Sequence, residues 1–188
     1  MRERIVQSAG QEILKYGFRK FTIDDLASNL GISKKTIYKY FNSKNEIICS
    51  VLDDFLEMDK DNRRALLASS SGTAEKLQAM LSSSLQTMVP TWLLGELQQY
   101  FPEEWAKCEI VIEFQKAQMI DIVKAGIDNG ELRPEIDPAL LDGVLHASTA
   151  ALLDYRFLTE HDLTLDQALN KFLSLIFYGI LNNSRNEG

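Results

Sequence analysis

The fold is decided by residues 21–47, which read FTIDDLASNLGISKKTIYKYFNSKNEI. Thr22 and Ser33 each stand where a hydroxyl can cap the start of a helix, and Gly31 separates the two helices that they predict. A helix-turn-helix needs a small residue where its helices approach, a glycine at the turn and buried aliphatic residues on both helices. The residues that meet these needs are Leu26, Ala27, Leu30, Ile32 and Ile37, with Phe41 closing the end. Residues 22–41 therefore predict a helix-turn-helix.

The second helix of this pair, predicted from Lys34 to Tyr40, carries polar groups on its outer side. Three ammonium groups, a hydroxyl and a phenol suit contacts to phosphates and base edges of duplex DNA. They belong to Lys34, Lys35, Thr36, Tyr38 and Lys39. Helix starts at Thr22 and Ser43 also offer free N–H groups to phosphate, with Lys44 beside the second start.

A plainer interpretation stays open for each of these residues. The lysines, taken singly, also fit a solvated helix face, and Tyr38 also fits a half-buried core position. Tyr40 stands near Ile37 and Phe41 in angle, so packing and DNA contact are equally compatible with its position. The combination of the Ala27, Gly31 and Ile37 spacing with two helix caps favours DNA binding.

The pattern Gly-Ile-Ser-x-x-Thr-Ile-Tyr-x-Tyr-Phe-x-x-Lys at residues 31–44 resembles the signature of the TetR family of bacterial regulators. With the flanking residues quoted above, the resemblance covers residues 21–47, about one-seventh of the chain. It implies a transcription regulator whose operator contacts come from Thr22, Lys34, Lys35, Thr36, Tyr38, Lys39, Tyr40 and Lys44. Lys39 departs from the aromatic residue often found there, which shifts weight from stacking toward phosphate charge. Residues 48–188 resemble the family only in helix number, helix length and the turn at 129–134.

Charge is distributed unevenly along the chain. Lys and Arg total 20 and Asp and Glu total 27, for a net charge of −7. Residues 1–47 hold nine of the basic and five of the acidic side chains, so the remaining 141 residues hold eleven and twenty-two. This asymmetry fits a basic DNA-contacting module on an acidic body, although a solvated basic face would produce it as well.

Composition excludes several other classes of protein. With 188 residues, 45% hydrophobic and 25% charged, the sequence is typical of a globular chain of one or two domains. It has neither a membrane-spanning apolar run nor a signal peptide, so we expect a cytoplasmic protein without membrane contact. Cys49 and Cys108 form no CxxC pair and have no histidine cluster nearby, so we expect no disulfide framework, metal or cofactor.

Helical periodicity continues to the end of the chain and predicts an all-α fold. A first helix covers about residues 3–16, ended by Gly17, and a fourth starts at the capping box Ser43-Lys44-Asn45-Glu46 and runs toward Leu67. Further helices are predicted near 73–89, 92–100, 103–128, 138–158 and 165–182. We predict two domains: a three-helix DNA-binding bundle with the helix-turn-helix at 1–46, and a helical effector-binding and dimerisation domain at 47–188.

The last two predicted helices, 138–158 and 165–182, are apolar on more than one face. A helix that is apolar nearly all round must be buried nearly all round, and a second copy of the chain would supply the cover. We therefore predict a homodimer formed by these helices. Burial of both helices inside one chain is the alternative.

Large aromatic and sulfur side chains in the helical body suit a pocket for a small apolar effector. The candidates are Met88, Trp92, Trp105, Phe114, His146 and Tyr155. Each also fits an ordinary core position, and His146 fits a hydrogen-bonded core histidine better than a ligand or base.

The resulting hypothesis is a dimeric, ligand-responsive repressor that a small apolar effector releases from operator DNA. The alternative is an architectural helical DNA-binding protein that responds to no ligand. An enzyme is not expected, because no HExxH, GxSxG or phosphate-binding glycine loop is present and the chain has two histidines.

Overall fold

The chain is built from α-helices throughout the part that the structure, a computed structural model, describes: residues 1–86, 89–152 and 155–180. The helices are α1 (Arg2–Lys20), α2 (Ile23–Leu30), α3 (Lys34–Ile37), α4 (Lys44–Ala68), α5 (Thr73–Gln86), α6 (Thr91–Tyr100), α7 (Pro102–Asp128), α8 (Pro138–Leu152), α9 (Tyr155–Glu160) and α10 (Leu165–Ile180). The predicted all-α class is confirmed. Within the described ranges, no helix combines the length and apolar character needed to cross a membrane.

Most helix bounds agree with the predicted ones to within a few residues. The predicted helix 138–158 corresponds to α8 and α9, on either side of residues 153–154, which lie outside the described part. Residues 87–88 and 181–182, at the ends of two other predicted helices, lie outside it too. Helix α1 extends to Lys20, with a break in helical geometry at Gly17, where φ is 88° and ψ is 167°. The glycine stop was thus predicted at the right residue, and the chain resumes helical hydrogen bonding beyond it.

The helices form two compact units. One comprises Met1–Asn62 and Ser84–Ile112, and the other comprises Arg63–Ser83 and Glu113–Gly188. Residues 47–62 and helix α6 therefore belong to the same compact unit as the three N-terminal helices. The predicted domain boundary after residue 46 stays a prediction about where function divides.

The first unit encloses a core to which five helices contribute. Helix α1 buries Ile5, Ala9 and Ile13 along one face, following the spacing from which the helix was predicted. The other contributors are Leu26 of α2, Ile37 of α3, Ile47 and Ile48 of α4, and Leu93 and Leu97 of α6. Helix α6 is thus part of the core that supports the helix-turn-helix.

The second unit has its own core, drawn from α5, α7, α8 and α10. Its buried members are Leu77, Met80, Leu81, Met119, Val123, Leu132, Leu141, Leu145, Leu173 and Ile180. The turn after α7 ties these helices together: the Leu132 N–H donates to the Gly126 carbonyl at 2.8 Å, and the Arg133 N–H donates to the Ile180 carbonyl at 3.0 Å. Glu131 accepts a 2.7 Å bond from the backbone N–H of Thr73 at the start of α5.

The helices α8 and α10 bury only part of their apolar surface in this core. Leu140 and Val144, one turn apart on α8, are exposed, and Leu140 is 68% exposed. On α10, Leu175 and Tyr178 are 71% and 84% exposed. Both helices therefore present an apolar side that their own unit leaves uncovered.

Candidate nucleic-acid interface

The turn between α2 and α3 has the geometry expected of a helix-turn-helix. Gly31 adopts φ 64° and ψ 33°, a left-handed conformation that glycine adopts without a steric penalty, and Ile32 N–H donates to the Ala27 carbonyl at 3.0 Å. Ser33 then caps α3, because its Oγ accepts the Thr36 N–H at 3.1 Å. Both the turn and the cap lie at the predicted residues, so local side-chain chemistry defines this motif.

Helix α3 is shorter than predicted and ends at Ile37 instead of Tyr40. The Tyr38 N–H still donates to the carbonyl four residues back, but those of Lys39 and Tyr40 donate to carbonyls three residues back, at 3.3 Å and 2.9 Å. The last part of residues 34–40, named the recognition segment below, is therefore a tighter series of turns. Tyr38 and Tyr40 are 51% and 44% exposed, whereas Ile37 and Phe41 are buried. Tyr40 therefore points outward instead of packing beside Ile37 and Phe41, the two arrangements that its sequence position allowed.

The outer side of the recognition segment presents Lys35, Tyr38 and Lys39 as exposed side chains. Lys34 is exposed too, but its Nζ lies 2.6 Å from Oδ1 of Asp24 at the start of α2. The hydrogen bond and the charge of Asp24 raise the pKa of Lys34. Lys34 must exchange this carboxylate for a phosphate or base if it is to contact DNA.

The start of α2 is already satisfied by its own side chains. Thr22 Oγ1 accepts the Asp25 N–H at 3.1 Å and donates to the Asp25 carboxylate at 2.5 Å. Thr36 also has a local partner, since its hydroxyl lies 3.0 Å from that of Ser33. The assignment of Thr22 and Thr36 to DNA contact stays a prediction, and such a contact would replace or share these bonds.

Lys44, the first residue of α4, is turned toward the end of α1. Its Nζ lies 3.4 Å from the Arg19 carbonyl oxygen and 5.5 Å from the centroid of the Phe21 ring. Burial lowers the pKa of Lys44, and the negative charge of Glu96 opposes that effect. Lys44, the residue predicted to contact a phosphate, is thus half-buried in the absence of DNA.

The capping box predicted at the start of α4 forms by half. Ser43 Oγ accepts the Glu46 N–H at 3.1 Å, as expected. The Glu46 carboxylate accepts the N–H of Asn42 at 2.6 Å, one residue before the one that a complete box would use. The cap still orders the segment that brings Lys44 to the end of α1.

Sequence reasoning missed two carboxylates that contact this surface. Asp24 in the first turn of α2 is one of them, although its position next to a basic helix could have suggested the Lys34 pair. Glu96 accepts backbone N–H groups at the end of α1, 77 and 78 residues away in sequence. Its one sequence signal is that it is the only charged residue in α6.

The predicted effector residues are described unevenly. Met88 and the side chains of His146 and Tyr155 lie outside the described part of the chain. Trp92 is half-exposed beside Gly17, and Phe114 is exposed on α7. Their assignment to an effector site stays a prediction.

Trp105 differs from these residues because it packs against the core of the first unit. Its indole Nε1 is buried and has no hydrogen-bond acceptor within the described part of the chain. An open cleft of about 280 Å³ in the second unit has polar lining residues such as Lys76, Gln118 and Asp121, and includes none of the six candidates. Among the described residues, no group of three or more His, Cys, Asp or Glu side chains is placed to hold a metal ion.

The sequence of this chain is similar to those of known transcription regulators. A sequence model of the "Bacterial regulatory proteins, tetR family" matches residues 5–51. The HTH-type transcriptional regulator YvaF of Bacillus subtilis is 29% identical over 183 residues, covering 96% of this chain and 95% of that protein. The HTH-type transcriptional repressor KstR2 of Mycobacterium tuberculosis is 23% identical over 185 residues, covering 95% of this chain and 92% of that one.

Solved structures share the fold over nearly the whole chain. The ketosteroid transcriptional regulator KstR2 of Mycobacterium tuberculosis superposes with a TM-score of 0.74 and 21% identity, covering 97% of this chain and 95% of that one. A putative transcriptional regulator from Saccharomonospora viridis in complex with choline has a TM-score of 0.77 and 21% identity, with 97% and 98% covered. The similarity therefore extends beyond the helix-turn-helix to the helical body.

Proposed function

We propose, from the premise that the chain belongs to the TetR family of bacterial regulatory proteins, that this transcription regulator is a dimeric repressor released from operator DNA by a small-molecule effector. The observation that carries the DNA part is the exposed recognition segment, with Lys35, Tyr38 and Lys39 outward and Ile37 buried beneath them. Lysines can neutralise phosphates, and a tyrosine can pack on sugar or a thymine methyl while its hydroxyl reaches a phosphate.

Dimerisation through α8 and α10 is supported by their uncovered apolar sides. Leucine and tyrosine side chains as exposed as Leu140, Leu175 and Tyr178 lose the benefit of burial in a single chain. Two copies related by a twofold axis would cover each other's α8 and α10 in a four-helix interface. The dimer would then present two recognition segments to an inverted repeat in the DNA.

Repression and effector control are supported by the relatives. KstR2 is named a repressor, and the Saccharomonospora viridis regulator was solved with choline bound. The predicted effector is apolar, with Trp105 as its best-supported contact in the described part of the chain. The buried indole N–H of Trp105 would donate to an acceptor atom on the effector, which adds one polar group to an otherwise apolar molecule.

Selection from a pool of random duplexes tests the DNA part of this proposal directly. We expect enrichment of an inverted repeat whose half-sites are centred about 34–36 Å apart or a multiple of that distance. Titration of the selected duplex at several salt concentrations should give a steep decrease of affinity with salt. Failure to enrich any sequence would contradict operator recognition.

Screening apolar molecules against Trp fluorescence tests the effector part. A true effector should weaken operator binding, and operator DNA should weaken effector binding by the same factor, because the coupling free energy is reciprocal. A protein that binds its selected duplex but loses no affinity with any fluorescence-active ligand would instead fit the architectural alternative.

A further inference from the structure

Glu96 brings a single negative charge to the end of α1. It is the only charged residue of α6. Leu93 and Leu97, on either side of it in sequence, are buried in the core shared with α1 to α4. Phe101, directly after α6, packs against Phe18, with their ring centroids 5.4 Å apart. Helix α6 is therefore fixed on the N-terminal bundle, and the Glu96 carboxylate is held where α1 breaks.

The break at Gly17 admits this carboxylate. Glu96 Oε2 accepts the N–H of Phe18 at 2.8 Å and that of Arg19 at 3.4 Å. A Cβ atom at Gly17 would lie 2.6 Å from Glu96 Oε2 and 3.0 Å from Trp92 Cζ3. Because real Cβ atoms do not approach another atom so closely, any residue larger than glycine would displace the carboxylate, the indole or the backbone.

The backbone of Arg19 also contacts Lys44, through its carbonyl group. Arg19 donates its N–H to Glu96 and accepts the Lys44 ammonium at its carbonyl oxygen, 3.4 Å away. Lys44 is one of the residues predicted to contact a DNA phosphate. Glu96 thus contacts the Arg19 backbone, and the Arg19 backbone contacts Lys44. One peptide segment therefore connects α6 to the proposed DNA surface.

We propose that Glu96 is a positioning residue for operator binding, which fixes the Phe18–Arg19 segment and through it the Lys44 ammonium. This inference rests on the proposed function, because the phosphate contact of Lys44 is part of it. A carboxylate that accepts two backbone N–H groups holds the segment more strongly than a neutral acceptor would. Lys44 then meets DNA from a defined position, so less conformational freedom is lost on binding.

Two variants of Glu96 separate the hydrogen bond from the charge. Glu96→Ala removes both, and Glu96→Gln keeps an acceptor of similar size without the charge. We expect faster hydrogen exchange of the Phe18 and Arg19 amides in Glu96→Ala and an intermediate rate in Glu96→Gln, because a neutral amide oxygen accepts these bonds more weakly. The pKa of Lys44, followed by NMR, should fall in both variants, because each removes the negative charge that favours the ammonium form. Gln99→Ala, an exposed change in the same helix, is the matched control and should alter none of these values.

Operator affinity is then measured with the duplex selected from the random pool. Glu96→Ala should weaken binding up to about tenfold, the effect expected when one long side chain has to be ordered on binding, and Glu96→Gln should restore part of it. In a Lys44→Ala background the same Glu96→Ala change should have little further effect, since the two residues act through one segment. A circular dichroism melt of each variant confirms that it is folded at the assay temperature.

The outcomes that oppose the inference are distinct. An equal loss of affinity from Glu96→Ala with and without Lys44 would overturn the link to Lys44. Unchanged amide exchange and an unchanged Lys44 pKa in Glu96→Ala, in a protein that still binds its operator, would overturn the role of Glu96 alone. Absence of DNA binding by the unaltered protein would overturn the proposed function and this inference together.

Discussion

Residues 22–46 expose lysine and tyrosine side chains, whereas α8 and α10 expose leucine, valine and tyrosine from long apolar helices. In the helix-turn-helix most apolar residues are buried, among them Leu26, Ile37 and Phe41, and Leu30 and Ile32 are partly buried. Most of what is left outside is polar. In α8 and α10 the apolar residues exceed what one chain can cover. The first region is complete in a single copy and presents cationic side chains that suit the proposed DNA partner. The second presents a surface that a like surface would cover.

The two regions also differ in how their sequences specify structure. Thr22, Ser33 and Ser43 each cap the helix that follows, and Gly31 makes the turn, so short-range chemistry determines where α2, α3 and α4 begin. Helices α8 and α10 have local caps as well, since Asp137 Oδ1 accepts the Leu140 N–H at 2.8 Å and Thr164 Oγ1 accepts the Gln167 N–H at 3.2 Å. These caps specify where the two helices begin, but not what covers their apolar sides. The comparison teaches that a locally specified motif can be assigned residue by residue, whereas an apolar helix pair indicates only that a partner is needed.

The largest expected effect comes from placing charge on the uncovered side of α10. Leu175→Glu combined with Tyr178→Glu should yield a monomer, because both side chains are exposed in one chain and the proposed dimer would bury the new carboxylates. Loss of the second recognition segment should weaken operator binding at least about 100-fold. Sedimentation velocity and operator titration measure the two effects.

Ile110→Glu is the matched control for this double variant. Ile110 of α7 is 71% exposed, as is Leu175, so the control introduces one of the two carboxylates at an equally exposed apolar residue outside α8 and α10. It should leave the dimer intact. A dimer that survives in the α10 variant, or that is lost equally in Ile110→Glu, would contradict the assignment of the interface. Phe177 is a poorer target, because it packs against the core of its own unit.

The next effect tests the polar side of the comparison. Lys35→Ala with Tyr38→Ala should weaken operator binding about 100-fold while leaving the dimer and the thermal melt unchanged, because both side chains are exposed and each contact to a base or phosphate contributes about 1–3 kcal/mol. Lys124→Ala removes the same charge from α7 in the second unit and should have almost no effect. Operator affinity unchanged by the double variant would exclude this segment as the recognition element.

A smaller effect, on the free energy of unfolding, is expected at Gly17, where the backbone breaks the helical geometry of α1. Gly17→Ala introduces strain at a φ of 88° and a contact of 2.6 Å with Glu96, and should reduce the free energy of unfolding by about 1–3 kcal/mol. Gly10→Ala in the same helix is the control. Its Cβ would make an ordinary 3.5 Å contact with Val51, so it should stabilise the protein by about 0.5–1 kcal/mol.

Urea unfolding curves of the two glycine variants give the measurement. Opposite shifts of the midpoint, downward for Gly17→Ala and upward for Gly10→Ala, are expected. A Gly17→Ala protein as stable as the unaltered one would show that the α1 break is not held in this conformation in solution.

What could be predicted from sequence follows the same division. The helix starts at Thr22 and Ser33 and the turn at Gly31 were predictable, because capping and left-handed glycine depend on residues within four positions of each other. The early end of α3 was not, since the change from four-residue to three-residue hydrogen bonds leaves no distinct sequence signal in Tyr38-Lys39-Tyr40.

Contacts between residues far apart in the sequence could not be predicted, for a different reason. The pairing of Glu96 with Phe18 depends on how α6 packs, and a lone glutamate in an apolar helix has many possible partners. The Lys34–Asp24 pair was within reach, because the two residues lie on adjacent helices of one motif. The effector site could not be predicted reliably, since large apolar side chains serve a core and a pocket equally well.

The smallest expected effect concerns this Lys34–Asp24 pair, in which a lysine of the proposed DNA surface lies 2.6 Å from a carboxylate of the same motif. Asp24→Asn keeps the size of the side chain and removes its charge, so Lys34 no longer has to leave a carboxylate in order to reach a phosphate. Operator affinity should rise about two- to fivefold at low salt, and the gain should vanish at high salt, where exposed charges are screened. The comparison with Lys34→Ala decides the cause: Asp24→Asn should give no gain when Lys34 is absent, if the carboxylate acts by holding the ammonium. An equal gain in both backgrounds would show that Asp24 simply repels the phosphate backbone, and Lys34 would then lose its place among the proposed DNA contacts. Titrations of the four proteins, unaltered, Asp24→Asn, Lys34→Ala and the double variant, at three salt concentrations measure this coupling.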